Sequence, residues 1–361
     1  MPGKEFPLPE SRIENLHIRG ESIPLLSPLE VKSTHPATEN SITTAMKGRE
    51  AIRLALNPGL HSKLILVVGP CSVDNPDSAL EYAKWLKKCR AQFGDQLELI
   101  MRLYFEKPRT TVGWEGLITD PHLDESFDFN NGLLIARKLA CDITNMGIPI
   151  GTELLDPITP DYYAGLMSWG AIGARTTQSP LHRHLASGLS FPIGFKNGTE
   201  GNVDIAIDAL ETARHPHHFP GTTEDGRTAV LATMGNPDCH VILRGGSNGP
   251  NYDSQSIDLV TEQLIESGHN PNVMVDPSHA NSGKDYRRQI LVVEDLARQI
   301  AAGSKAIMGV MIESNLKEGS QPFIPGSVHK YGVSITDGCV GLEETARMFE
   351  LLYAARVNSP S

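Results

Sequence analysis

The chain lacks any closely spaced cysteine pair. Its five cysteines, Cys71, Cys89, Cys141, Cys239 and Cys339, are odd in number and scattered, and no two form a C-x-x-C pair. That argues against a disulfide framework and suits a reducing compartment. The sequence also lacks an apolar run near the roughly 20 residues needed to span a bilayer. The opening MPGKEFPLPE has neither a signal-peptide apolar core nor an Arg/Ser-rich transit pattern. A cytoplasmic address is the expectation, with no membrane partner. Excess positive charge is missing too. The net charge is −11, which argues against nucleic acid as a partner. An anionic small molecule would have to be met by a few focused cations.

What is present is an alternating α/β pattern. Hydrophobic residues make up 40% of the 361 and charged residues 21%, as in a globular chain large enough to need no staples. Eight β-rich runs end in turn or polar residues: 64–68, 97–103, 148–152, 171–175, 192–195, 240–244, 273–275 and 306–312. Stretches with an apolar helical face separate most of them, at 78–91, 132–146, 257–267, 288–302 and 342–355. Eight strands alternating with helices predict a closed (β/α)8 TIM barrel, which typically takes about 250 residues. The surplus falls in two places. Residues 1–62 form an N-terminal extension, Pro- and Ser-rich at first and then helical from about 41 to 56. The barrel then spans 63–361. Between its fifth and sixth strands, residues 212–238 read as an inserted β-hairpin.

In such a barrel, chemistry sits where strands meet the following loops. Here those positions carry Cys71, Arg102, Glu153, Arg175, Lys196, Arg244, His279 and Glu313. Taken alone, Cys71 after Gly69-Pro70 reads as core filling, a disulfide half, a nucleophile or a metal ligand. As a set, the residues divide in two. Arg102, Arg175, Lys196 and Arg244 are cationic, joined by Lys107 and Arg109 in 106-EKPRTTVGWEG-116. At an effective dielectric of 20, two such charges at 4 Å repel by about 4 kcal/mol. A substrate with phosphate and carboxylate groups removes that cost, gripped by Arg in bidentate fashion. The bland alternative is surface pairing with some of the 43 acidic residues. The second subset is Cys71, His279, Glu313 and Asp337. Thiolate, imidazole and carboxylate suit a divalent Mn, Fe, Co or Zn ion. His279 reads equally as a turn histidine after Asp276-Pro277. No organic cofactor is expected.

Other patterns are weaker. His215, His217 and His218 in 214-RHPHHF-219 look metal-like, but Pro216 interrupts them and no acidic or thiol partner is near. His182 and His184 flank Arg183 on a short helix and cannot share a metal from one face. The Gly-rich 244-RGGSNGPNYD-253 lacks the phosphate-loop pattern.

Nine segments carry a resemblance. They are GPCS (69–72), EKPRTTVGWEG (106–116), GTELLDPITPDY (151–162), GARTTQS (173–179), GFKNGT (194–199), ILRGG (242–246), DPSHANSGK (276–284), GVMIES (309–314) and SITDGC (334–339). Their order and spacing resemble the type I 3-deoxy-D-arabino-heptulosonate-7-phosphate (DAHP) synthases, the first enzymes of the shikimate pathway. The resemblance runs from about residue 10 to the C-terminal helix. It implies condensation of phosphoenolpyruvate with erythrose 4-phosphate, using a divalent metal. By motif it implies Cys71, His279, Glu313 and Asp337 as metal ligands. It implies Arg102, Lys107, Arg175, Lys196 and Arg244 as the phosphoenolpyruvate grip, and Arg109 and Thr110 as the sugar-phosphate site. Lys107 is expected to protonate the new alkoxide, and Glu153 to orient or deprotonate the attacking water. The chain departs after Gly246, where relatives often have Lys and this chain has Ser247-Asn248.

The resemblance also implies a homodimer or homotetramer through the extension, and an aromatic amino acid inhibitor bound by extension and hairpin. Ser190 and Gly221 are the positions carried over for that inhibitor. Phenylalanine-sensitive relatives tend to have Ser where this chain has Gly221, so tyrosine is the expected inhibitor. The rival readings are 3-deoxy-octulosonate-8-phosphate synthase, a barrel metal-hydrolase, and a non-catalytic aromatic amino acid sensor.

Overall fold

The computed structural model describes residue 17 and residues 22–57, 63–109 and 111–360. Thr110 and most of the first 21 residues lie outside them. The strands in chain order are β1 (Leu64–Gly69), β2 (Leu97–Arg102), β3 (Ile150–Glu153), β4 (Met167–Ile172), β5 (Ile193–Lys196), β6 (His218–Thr222), β7 (Thr228–Ala232), β8 (Cys239–Leu243), β9 (Val273–Val275) and β10 (Ile307–Glu313). All but β6 and β7 close into one parallel barrel, in the circular order β1-β10-β9-β8-β5-β4-β3-β2. Every residue of β1, β2 and β10 is buried. This is why those strands read as nearly unbroken apolar runs: helices cover one face and the barrel interior the other. β6 and β7 form the expected hairpin between the fifth and sixth barrel strands, with Gly221 opposite Ala229.

The helices are α1 (Pro28–Thr34), α2 (Glu39–Leu56), α3 (Pro76–Phe93), α4 (Phe129–Asn145), α5 (Pro160–Tyr163), α6 (Pro180–Gly188), α7 (Asp204–Ala213), α8 (Ser254–Glu266), α9 (Gln289–Ala301) and α10 (Leu342–Asn358). Local signals start several of them. Ser27 and Glu30 form a capping box on α1, with Pro28 in its first turn. Asn75 caps α3 by accepting from the Ser78 amide at 3.0 Å, again with Pro next.

α2 closes the end of the barrel away from the expected site. Its Ile52, Ala55 and Leu56 pack with Ile65, Val67, Ile100, Trp169 and Met308 in the barrel interior. Its polar side chains bind groups at the strand starts. Arg49 donates to the Met167 carbonyl at 2.9 Å, and Arg53 meets Asp238 at 2.6 Å. The Asn272 amide donates back to the Ala55 carbonyl at 2.9 Å.

The fourth strand corrects the sequence expectation. It spans Met167–Ile172 rather than 171–175. Gly170 and Ile172 pair with Ile193 and Phe195 of β5, and the chain then leaves the sheet. The amides of Thr176 and Thr177 both donate to the Gly173 carbonyl, which makes 173–177 a turn. Arg175 therefore sits on a loop, three residues beyond its strand. The sequence reading also passed over α1, α5 and α7. α7 has a helical apolar face in Ala206, Ile207, Leu210 and Ala213, all buried.

Candidate active site

The barrel's C-terminal mouth opens into a cavity of about 650 Å³. Arg102, Lys107, Arg109, Glu153, Arg175, Lys196, Arg244, His279, Glu313 and Asp337 all line it. Of the residues expected there, Cys71 is fully buried against its wall, and Thr110 lies outside the described residues.

β1 delivers Cys71. Gly69 at its end has no side chain, and a Cβ there would lie 2.6 Å from the Arg102 carbonyl oxygen. The absence of that atom lets the GPCS turn run close to β2. Arg102 then ties the exits together. It donates to the carbonyls of Pro70 at 3.0 Å and Cys71 at 3.1 Å, and to Glu313 at 2.9 Å. Its guanidinium stacks 3.5 Å from the Tyr104 ring centroid. The pair with Glu313 is almost wholly out of water, so loss of either partner would strand a buried charge.

Lys107 lies next to it. Its ammonium is 2.8 Å from the Cys71 sulfur and 2.8 Å from Asp337 Oδ2. Burial works against that charge, but Cys71, Glu313 and Asp337 hold it well above the usual lysine range. In return, Lys107 holds the Asp337 carboxyl well below the usual carboxylate range. Burial, with Glu313 nearby, pushes the Cys71 thiol up to about 11. Cys71, Glu313 and Asp337 bring three potential metal-ligand atoms within 4.8 Å of one another.

His279 stands outside that cluster of three but faces the same cavity. Its Nδ1 lies 3.0 Å from Asp276 Oδ2 and 2.8 Å from Ser278 Oγ. Donation from Nδ1 to Asp276 leaves Nε2 as the nitrogen with a free lone pair, the arrangement that orients metal-binding histidines. Asp276 also accepts from Lys196 at 3.0 Å. Burial disfavours its ionised form, yet His279 and Lys196 hold it well below the usual range.

The other cations are differently held. The Arg244 amide donates to Asn197 Oδ1 at 2.8 Å, fixing the backbone from which its buried side chain reaches the cavity. Arg175 donates to the Pro108 carbonyl at 3.3 Å, linking its loop to the 106–116 segment. Glu153 at the end of β3 is buried under Gly173, where a Cβ would strike its carboxylate.

The inhibitor positions are less connected. Ser190 is exposed, two residues beyond α6. Gly221 lies on β6, and a side chain there would run into Leu231. The contacts between hairpin and α6 include Ser187 with Thr233 at 2.7 Å, the stacked rings of His184 and His217, and His184 against Phe219. So the structure pairs two of the histidines set aside above, as packing partners.

Comparisons with known proteins show the family. The sequence model of the DAHP synthetase I family matches residues 42–350. The chain is 52% identical over 328 residues to phospho-2-dehydro-3-deoxyheptonate aldolase, Phe-sensitive, of Escherichia coli K12, covering 91% of this chain and 93% of that one. It is 49% identical over 334 residues to the Tyr-sensitive protein of the same organism, covering 92% and 93%. The solved structure of phospho-2-dehydro-3-deoxyheptonate aldolase from Francisella tularensis superposes with a TM-score of 0.91 at 47% identity, covering 95% of this chain and all of that one.

The chain belongs to the DAHP synthetase I family.

Membership in this family is consistent with a metal requirement, and the donor set fits one. A buried thiol and two carboxylates within 4.8 Å would repel one another once ionised. In this structure the Lys107 ammonium already supplies a cation between two of them. Sulfur, carboxylate and an oriented imidazole at one cavity wall match a borderline divalent ion. Among the described residues, no helix is long and apolar enough to cross a membrane.

Sequence reasoning missed four supporting groups: Asp276, Ser278, Tyr104 and Glu106. Asp276 belongs to the DPSHANSGK segment, where the sequence shows it only as part of the turn before His279. Its position directly after β9 was the signal that could have found it. Glu106 is buried beneath the 106–116 segment and accepts from Thr159 Oγ1 at 2.8 Å. Burial pushes its carboxyl up to about 8.

Proposed function

We propose that this member of the family condenses phosphoenolpyruvate with erythrose 4-phosphate, giving DAHP and phosphate. The observation that carries the reading is the single cavity that joins a ring of arginines and lysines to the Cys71–Glu313–Asp337 cluster. Two phosphorylated substrates call for several cations, and a Lewis acid makes an aldehyde a better electrophile.

Arg102, Arg175, Lys196 and Arg244 hold the phosphate and carboxylate of phosphoenolpyruvate, with Lys107 beside them. Arg109 and Thr110 receive the sugar phosphate. Holding both reactants in one orientation supplies much of the rate. Cys71, His279, Glu313 and Asp337 would hold a divalent metal, drawn from Mn, Fe, Co or Zn, which would supply a Lewis acid for the aldehyde carbonyl. Lys107, with its proton firmly held, gives it up to the new alkoxide oxygen as general acid. Glu153 orients the water that adds at C2. Phosphate leaves by cleavage of the C–O bond.

Regulation belongs to the same reading. The curated relatives include proteins named Phe-sensitive and Tyr-sensitive. Tyrosine is the proposed inhibitor here, at a site built by residues 1–62 and the hairpin, with Ser190 and Gly221 beside it. The exposed apolar side chains Leu29, Ile42 and Met46 on α1 and α2 support a homodimer or homotetramer formed through this end of the chain. The working compartment is the cytoplasm.

Steady-state assays with erythrose 4-phosphate and arabinose 5-phosphate in parallel test the reaction. Turnover with the four-carbon aldehyde and little with the five-carbon one is expected, and the reverse preference would replace this reading with the octulosonate synthase. Inhibition titrations test the regulation. Tyrosine acting at lower concentration than phenylalanine is expected, and much stronger inhibition by phenylalanine would overturn that part alone.

A further inference from the structure

The loop after β9 carries a lysine to which the reaction above gives no role. We propose that Lys284 is a specificity-determining contact for the phosphate end of the sugar phosphate, acting with Arg109 at the rim of the cavity. The inference rests on the proposed reaction and adds a residue to its second substrate's site.

Placement is the first observation. Lys284 lines the cavity together with Arg109, Ser282, Gly283 and Tyr286. Arg109, Arg175 and Lys284 are exposed, whereas Arg102, Lys107, Lys196 and Arg244 are buried. The exposed three form the outer, solvent-facing part of the cationic lining, and of these Arg175 donates to the Pro108 carbonyl. A four-carbon sugar phosphate whose aldehyde lies by Cys71, Glu313 and Asp337 must direct its phosphate outward, toward that rim.

Backbone strain is the second. Lys284 has φ 63°, a conformation that side-chain-bearing residues rarely adopt. Gly283, also at φ 63°, adopts it without strain. The Lys284 amide donates to the His279 carbonyl at 2.6 Å, and His279 itself has φ 55°. An exposed lysine buries little to offset this strain, and non-glycine residues held in the left-handed region concentrate at functional sites. The hydrogen bond also fixes Lys284 relative to His279, so a phosphate contact and a metal-binding position share one rigid turn.

Charge is the third. Three of the four deep cations face a carboxylate: Arg102 faces Glu313, Lys107 faces Asp337 and Lys196 faces Asp276. Among the described residues, neither Lys284 nor Arg109 has an acidic side chain within salt-bridge distance. Asp285, the neighbour of Lys284, is already held by Arg287 through contacts of 2.9 and 2.8 Å. In a chain of net charge −11, two rim cations without carboxylate partners are suited to a phosphate dianion.

The test is steady-state kinetics and thermal melting of Lys284→Ala, Lys284→Arg and Lys284→Gly, with Arg288→Ala as control. Arg288 has the same charge in the same segment and lies beside Gly283, but it does not line the cavity. Lys284→Ala is expected to raise KM for erythrose 4-phosphate about tenfold while KM for phosphoenolpyruvate stays within about twofold. Lys284→Arg recovers most of the loss. Lys284→Gly keeps the KM penalty but melts at a higher temperature, because the strain is gone. Arg288→Ala changes neither KM beyond about twofold, well short of a charged hydrogen bond. An unchanged KM in Lys284→Ala, an equal rise for both substrates, or an equal effect of Arg288→Ala would overturn the assignment. Failure of the parent reading looks different: the unaltered protein would then release no phosphate with both substrates present.

Discussion

Lys107 and Glu106 stand back to back in the 106–116 segment, which bridges onto itself at Glu106 and Gly116. Neighbours in extended backbone point to opposite sides. Glu106 goes under the segment to Thr159, and Lys107 goes up to Cys71 and Asp337. If Lys107 is the general acid, Lys107→Met should lower kcat at least about a hundredfold. Retained turnover would remove that role. Glu106 sets a pH dependence of stability. Its ordinary value is 4.5, and burial pushes it up to about 8 in the folded protein. Between those values the folded state keeps a proton that the unfolded chain releases, so this group's contribution falls as pH rises and levels off above about 8. Glu106→Gln removes the titration while keeping an oxygen for Thr159. It should melt a few degrees above the parent protein at pH 8.5 and converge with it toward pH 5. Parallel melting curves across that range would contradict the assignment.

Among the elements, the barrel strands were the most legible, because burial on both faces leaves an apolar signature that no exposed segment shares. β1 and β9 were read nearly to the residue. β4 was not. Its Gly170 and the following Gly-Ala blurred where the strand ends, and the turn hydrogen bonds at Gly173 that end it leave no mark in the composition. The strand-exit argument still found Arg175, since a residue three positions past the sheet reaches the same cavity. Asp276 was overlooked as a site residue for a different reason, although it stands directly after β9. Its role comes from Lys196 and His279, and Lys196 arrives from another strand. α2 was legible as a helix, but its place was not. Read as part of an extension, it instead packs Ile52, Ala55 and Leu56 into the barrel interior. Ile52→Ala should therefore destabilise the protein by about 2–5 kcal/mol, as in a core truncation. A denaturant melt that shows less than about 1 kcal/mol of loss would mean that α2 rests on the barrel without sealing it.

For the molecule as a whole, an acidic protein gathers seven of its 32 Lys and Arg residues at one mouth. Arg102, Lys107, Arg109, Arg175, Lys196, Arg244 and Lys284 all line one cavity, against a net charge of −11. The composition argues against a nucleic-acid surface, and the strand-exit pattern found most of the cavity. The close approach of Cys71, Glu313 and Asp337 required the closed barrel, because 266 residues of sequence separate the first from the last. The central claim is that this cluster and the cationic ring serve one reaction. The most direct test is phosphate release from phosphoenolpyruvate, measured with and without erythrose 4-phosphate, before and after removal of divalent metal by a chelator. The account predicts release only with both substrates, loss on chelation, and recovery when Mn, Fe, Co or Zn is returned. Release without the sugar phosphate, or full activity in the chelated protein, would contradict it.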